Sequence, residues 1–187
     1  MRIAAGLLVA IALAGAGQAS AIEVRTLEVR EQGRRYIVEF DARLAAQPVA
    51  VMNVLTDFAV YPRLDTRILE ARRAGIQDGK PLLYTRLRGC VGSVFCSVME
   101  RWEMLDEQPD RLIATAVPGR GDLRDGLTVT RLAPEGGGTR VLYRTEFDPS
   151  FWMPRWLVRS AMRTTLRDGT LGMFRAIETR AAAGSGG

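Results

Sequence analysis

Alternation between apolar and polar residues begins at Tyr36 and runs through Val38, Phe40, Ala42 and Leu44, a period of two that predicts a strand with one buried face. With the run before it, "EVRTLEVREQGRRYIVEFDARL", it predicts two strands around a turn at Gln32-Gly33. The period then changes. Pro48 opens a stretch in which Val51, Val54 and Leu55 recur at helical spacing, and Asp57 is placed to cap a second, very short helix ending before Pro62. Strand patterns return in "TRILEARRA", "PLLYTRLR", "VFCSVMERWEML", "RLIATAV", "GLTVTRLA" and "TRVLYRTEF", separated by turn sequences such as Gln77-Asp78-Gly79 and Glu135-Gly136-Gly137-Gly138. They predict six strands in an antiparallel meander. The chain closes with "PRWLVRSAMRTTLRDGTLGMFRAIETRA", one long helix from near Pro154 to near Arg180, about 40 Å long at 1.5 Å per residue. Helical spacing puts Leu157, Ala161, Leu166, Thr170, Phe174 and Ile177 toward one side, with Val158, Met162, Gly169 and Met173 beside them. Gly169 and Gly172 each cost about 1 kcal/mol relative to alanine in a helix interior, so they require a packing reason or a bend.

The first residues change the picture of where the chain works. "MRIAAGLLVAIALAGAGQASA" carries one positive charge at Arg2, an apolar run from Ile3 to Leu13 and a small-residue ending at Ala19-Ser20-Ala21, the pattern of a secretory signal peptide, with cleavage expected after Ala21. A membrane anchor fits less well, because the apolar core falls short of the roughly 20 residues a spanning helix needs. The expectation is a periplasmic or secreted protein whose domain spans residues 22–180, followed by a disordered tail over 181–187, "AAAGSGG". In an oxidising compartment the two cysteines, Cys90 and Cys96, read as a disulfide. A structural zinc needs about four ligands, and the chain has no histidine and no third cysteine. A redox centre would favour two intervening residues rather than five. Both cysteines are equidistant from Ser93, which puts them opposite each other near a hairpin tip, where closing so small a loop contributes about 2 kcal/mol.

Composition narrows the class without naming a chemistry. Without residues 1–21 the chain has 166 residues, the size of one domain with a real core. Its net charge is +5, or +4 once Arg2 is removed, and every basic residue but Lys80 is arginine. The positive charges are interleaved with acids, so no nucleic-acid partner is expected. No cofactor is expected either, and the chain reads as a monomer.

The order strand, two short helices, antiparallel meander, long C-terminal helix resembles the START/polyketide-cyclase (SRPBCC) superfamily, and within it the coenzyme Q-binding START-like proteins. "VMNVLTDFAVYPRL" looks like the family's helix-helix segment, "GGGTRVLYRTEFDPSFWMP" like its last strand and exit, and "RSAMRTTLRDGTLGMFRAIE" like its grip helix. The departure is Leu127, where many relatives have a tryptophan. The resemblance implies an α+β helix-grip fold, in which a curved antiparallel sheet wraps the last helix and leaves a cavity for a hydrophobic small molecule. Alternation places Phe40, Tyr143 and Phe147 toward the helix, and Leu83, Trp102 and Met104 less clearly, because both faces of their strands carry apolar residues. Met162, Leu166 and Met173 complete an apolar lining. Phe58 and Tyr61 on one segment and Trp152 on another are expected at an entrance. Plain core packing is the competing reading for each of these side chains.

Candidates for acid or base chemistry are Glu100, Arg101, Glu103, Tyr84 and Tyr143, none at a spacing that demands a reaction. Alternation puts Arg101 and Glu103 on one face and Glu100 on the other, so at least one set is expected in solvent. A Ser-His-Asp arrangement is excluded without histidine. "GRGD" at Gly119–Asp122 reads as a strand-linking turn, without the helix start that a phosphate loop requires. Arg155, Arg159, Arg163 and Arg167 recur every four residues behind Trp152 and Trp156, a solvated stripe or a face for transient contact with an anionic membrane surface. Two functions follow: an exported binder or carrier of a lipid, quinone, sterol or polyketide-like molecule, or a cyclase/aromatase-type enzyme using the same cavity. The lack of histidine weighs toward the first.

Overall fold

The computed structural model describes the backbone of residues 22–91, 95–150 and 155–184, with side chains over 22–90, 96–150 and 161–184. The leader, Ser93 and Trp152 lie outside the described residues. Strands β1 (Glu23–Gln32) and β2 (Arg35–Leu44) precede α1 (Pro48–Thr56), a 3-10 turn (Phe58–Val60) and α2 (Tyr61–Leu64). Strands β3 (Ile68–Gln77), β4 (Lys80–Val91), β5 (Phe95–Gln108), β6 (Arg111–Gly121), β7 (Leu123–Glu135) and β8 (Gly138–Pro149) follow, and α3 (Arg155–Gly184) ends the chain.

The strands form one eight-stranded sheet in the order β1-β2-β8-β7-β6-β5-β4-β3. Every pairing is antiparallel. Because β2 pairs with the last strand, opposing Phe40 to Tyr143, α1 and α2 must carry the chain to the far edge, where β3 begins. The meander then returns strand by strand. Pro48 stands in the first turn of α1 and Pro62 in that of α2, where a missing N–H leaves no bond unmade. The very short helix expected after Asp57 is the 3-10 turn, which ends before Pro62, and α2 is a further turn that contains Pro62. Asp57 stands at the N-cap position of the 3-10 turn but its side chain makes no cap bond, and its backbone N–H closes α1 on the Asn53 carbonyl.

Two buried clusters hold α3 to the sheet. The larger joins Phe40, Leu44, Val51, Leu55 and Val141 to Phe174, Ile177 and Ala181. The smaller joins Tyr36, Ala116, Leu123 and Phe147, with Met162 and Leu166 against it. Ala181 is 2% exposed, and α3 continues to Gly184. The expected disordered tail thus begins too early at 181, because an alanine-rich stretch favours helix once its first residue is buried. The "GRGD" segment is not a free turn. Gly121 has a positive φ of 74° and sits where a Cβ would lie 2.5 Å from the Glu100 carbonyl oxygen, and Asp122 bonds to Glu100 at both backbone N–H and carboxylate. It clamps β6 onto β5 at a register shift between Arg101 and Glu103. No described helix is long and apolar enough to cross a membrane.

The two glycines of α3 differ in their surroundings. A Cβ on Gly169 would lie 2.2 Å from Nη2 of Arg67, whose guanidinium is held by Asp65 and donates from Nη1 to the Thr165 carbonyl at 3.2 Å. Gly172 has nothing within 4 Å of the same position. Gly172→Ala should therefore raise the unfolding free energy by about 1 kcal/mol. Gly169→Ala should show no such gain, because the methyl evicts Arg67; urea unfolding of both variants checks the contrast.

Candidate ligand-binding site

Between the two clusters the concave face of the sheet is not filled, and a cavity of about 700 Å³ remains. That volume suits a lipid-sized or drug-sized molecule. Its wall follows from strand periodicity. The β4–β5 register opposes Leu83 to Glu103, Thr85 to Arg101, Leu87 to Met99 and Gly89 to Ser97, and all of these positions line the cavity. Leu112 and Ala114 of β6, Thr128 and Thr130 of β7, and Tyr143 and Phe147 of β8 extend the floor. Met162, Leu166, Met173 and Phe174 of α3 form the roof, while Leu55, Phe58 and Tyr61 close one side.

Of the residues predicted to line a cavity, Phe58, Tyr61, Leu83, Tyr143, Phe147, Met162, Leu166 and Met173 are brought together around it. Phe40 is not among them. It is 2% exposed and its ring stacks on Phe174 at 4.8 Å, so it packs in the buried core beside the cavity. Trp102 and Met104 occupy the alternate positions of β5 and face the convex side, where Trp102 packs on Tyr84 at 4.8 Å beneath the Arg120 guanidinium at 3.8 Å. The physical reason is that the middle of β5 breaks the usual pattern, with Arg101 and Glu103 inward and Trp102 and Met104 outward, while Met99 and Leu105 still face the cavity. Leu127 likewise sits on the convex face, 37% exposed, so its departure leaves the cavity wall unaffected. Trp152 lies outside the described residues. Arg163 and Arg167 are exposed, and the side chains of Arg155 and Arg159 are not described.

Among the candidates for chemistry, Arg101, Glu103 and Tyr143 face the cavity, while Tyr84 donates to Glu100 at 3.0 Å on the convex face. Glu103 is buried, and Arg101 is only partly accessible. Nη2 of Arg101 donates to Oε1 of Glu103 at 2.6 Å, and Glu103 is 3% exposed. Burial alone would lower the Arg101 pKa; the charge of Glu103 and its hydrogen bond oppose that and hold it above the ordinary value. Burial pushes the Tyr61 and Tyr143 hydroxyls up, so both stay neutral, and the Tyr61 hydroxyl donates to the Leu55 carbonyl at 2.6 Å. Asp65 and Arg67, which the pattern of the sequence does not single out, also line the cavity and tie its edge to α3. Cys90 and Cys96 are bonded across β4 and β5 and border the same cavity. Among the described residues no group of three or more His, Cys, Asp or Glu could hold a metal.

A family model described as polyketide cyclase / dehydrase and lipid transport matches residues 17–178. Among solved structures, a START superfamily protein from Mycobacterium smegmatis is similar with a TM-score of 0.59 at 16% identity, over 79% of this chain and 97% of that one. The Zhui aromatase/cyclase from Streptomyces sp. R1128 is similar with a TM-score of 0.63 at 12% identity, over 82% and 99%. A STAR-related lipid transfer protein from Xanthomonas axonopodis is similar with a TM-score of 0.57 at 17% identity, over 83% and 98%. At these identities the likeness is one of fold, and the fold is the α+β helix grip. No curated protein matches the sequence at a significant level.

Asp65 supplies a pH test of the cavity edge. Burial alone would raise its carboxyl; the side-chain and backbone hydrogen bonds from Arg67 overcome that and hold it below the usual value. A depressed folded pKa means that its stabilisation is complete above the unfolded value, about 3.9, and is lost as pH falls through the folded value. Asp65→Asn should be less stable than the wild type at pH 7, and the gap should narrow below about pH 4. Urea unfolding of both proteins across that range is the measurement.

Proposed function

The chain belongs to the polyketide cyclase / dehydrase and lipid transport family, and from that premise we propose that it is an exported binder or carrier of a hydrophobic small molecule held between the sheet and α3. The observation that carries this reading is the cavity of about 700 Å³ under α3, walled by leucine, methionine and aromatic side chains. An internal volume of that size lined by apolar groups forfeits packing contacts unless something fills it. The cyclase alternative requires a group placed to take or give a proton near working pH. Glu103, the inward carboxylate of the floor, is engaged by Arg101, and the inward tyrosines are held neutral by burial. The leader pattern of residues 1–21 and the Cys90–Cys96 bond support an oxidising, exported location.

Native mass spectrometry of protein purified from its producing cells should show one apolar molecule bound per chain. Ala114→Trp, which adds a ring at a lining position on β6, should reduce that adduct by about tenfold or more while leaving cooperative unfolding intact. An empty wild-type cavity, with turnover of a linear polyketide, would move the reading to the cyclase. Export and the bond are checked together. Absence of the chain from the exported fraction would remove the exported location; chain recovered there should react with no alkylating agent when denatured without reductant, and two labelled thiols would remove the Cys90–Cys96 bond.

A further inference from the structure

The sheet is open, and its edge strands, β1 and β3, each present one side without a partner in the chain. An unpaired edge offers a row of N–H and C=O groups to a second strand, and proteins guard such edges with charges and bulges. β3 is guarded in that way, by two irregularities in its pairing with β4 and a positive φ of 105° at Gly75. β1 also carries a bulge and charges, but their order differs. Its pairing with β2 slips by one residue between Val24 and Thr26, so Arg25 and Thr26 together oppose Asp41. Val24, Leu27 and Val29 stand opposite Ala42, Phe40 and Val38 on the concave face, and Glu23, Glu28 and Arg30 opposite Arg43, Glu39 and Ile37 on the convex face. Arg25 joins the convex row, with Glu135, Asp41 and Arg140 as its charged neighbours. With the bulge counted as one position, Leu27 is the centre of the strand. Each step outward from it matches a residue with its complement: Arg25 with Glu28, Val24 with Val29, and Glu23 with Arg30.

We propose that β1 is a homodimer interface, in place of the monomer expected from the sequence. Two copies pair antiparallel through this edge about a two-fold axis at Leu27, which joins two eight-stranded sheets into one. In that register Glu28 of each copy meets Arg25 of the other and Glu23 meets Arg30, so every pair is formed twice. The apolar row matches too, and Val24, which is 41% exposed, gains Val29 as a neighbour. The bulge is what makes the match possible, because an uninterrupted strand would set Arg25 and Glu28 on opposite faces. Within one chain two of these charges are unmet. Glu23 and Glu28 make no ion pair among the described residues, and Glu28 faces the carboxylate of Glu39 across the β1–β2 ladder, an opposition that costs stability. Glu39 is already held by Arg30 and Arg144, so what Glu28 lacks is a further cation. Arg25 of the second copy supplies it. Arg25 and Arg30 keep their own partners, Glu135 and Glu39, because a guanidinium with five donors serves a second carboxylate as well.

β1 lines no part of the cavity, so the interface is tested without touching the binding site. Sedimentation velocity of the chain recovered from its producing cells, over a wide range of protein concentration, reads the assembly directly. The wild type should reach twice the mass of one chain at high concentration and dissociate on dilution. Glu28→Arg sets like charges against each other at both symmetric positions, while within the monomer it removes the opposition to Glu39. It should therefore raise the dimer dissociation constant about tenfold or more and leave cooperative unfolding intact. Adding Arg25→Glu restores the complement and should recover most of that loss. Should the double variant fail to fold, amide hydrogen exchange of the wild type carries the test: residues 23–30 should exchange more slowly at high than at low protein concentration. The interface is overturned by a single-chain mass at every concentration, by a dimer that Glu28→Arg leaves unchanged, by a folded double variant that stays monomeric, or by exchange over 23–30 that ignores concentration.

Discussion

The structure depends on a mismatch of widths: one helix must cover the concave face of eight strands. At about 4.8 Å between neighbours the sheet spans roughly 34 Å edge to edge, against about 10 Å for a helix with its side chains. Curvature and the short helices reduce the mismatch without removing it. α3 makes close contact at two places, through Phe174, Ile177 and Ala181 at one end and through Met162 and Leu166 at the other. The space between those contacts is the cavity. It is a remainder of the architecture, and its chemistry is set by whichever residues the strands point into it.

The chain order and the site are linked by the same constraint. Pairing β2 with β8 sends α1 and α2 across the open end of the sheet, and it is this crossing that delivers Leu55, Phe58 and Tyr61 to the cavity wall and Asp65 and Arg67 to its edge. Arg67 then reaches over Gly169 to the Thr165 carbonyl. The edge strand is thereby tied to the roof by a charged side chain rather than by apolar packing. Such a tie leaves the cavity beneath it open, whereas a large apolar residue in the same place would fill it.

Most of the fold was legible because period-two alternation and turn residues report locally on strands. The β2 pattern at Tyr36, Val38 and Phe40 and the Pro48 helix start are local signals of this kind. Legibility failed where a neighbour distant in sequence decides the outcome. Asp57 had the chemistry of a cap but not the geometry, and Ala181 was ordered by burial that its own sequence does not announce. On β5 the error was systematic: the rule that apolar residues face inward placed Trp102 and Met104 in the cavity. In fact Trp102 is accommodated outside by Tyr84 and Arg120. Gly169 was flagged as needing a packing reason, but nothing near it in the chain points to Arg67, 102 residues earlier.

The inversion of β5 is informative because a single-sided rule was broken at two consecutive inward positions together. A lone charge inside the sheet would leave an uncompensated ion, which costs several kcal/mol. With Arg101 and Glu103 adjacent, that penalty is largely cancelled, and what survives is a dipole fixed on the floor of an apolar chamber. Fixed dipoles in a low-dielectric site act more strongly than the same groups in water. The cavity thus sets an apolar roof of methionine and leucine against charged groups fixed in its wall, Arg101 and Glu103 on the floor and Asp65 and Arg67 at the edge. At both places the charges come as opposed pairs, the arrangement under which a low-dielectric interior tolerates them.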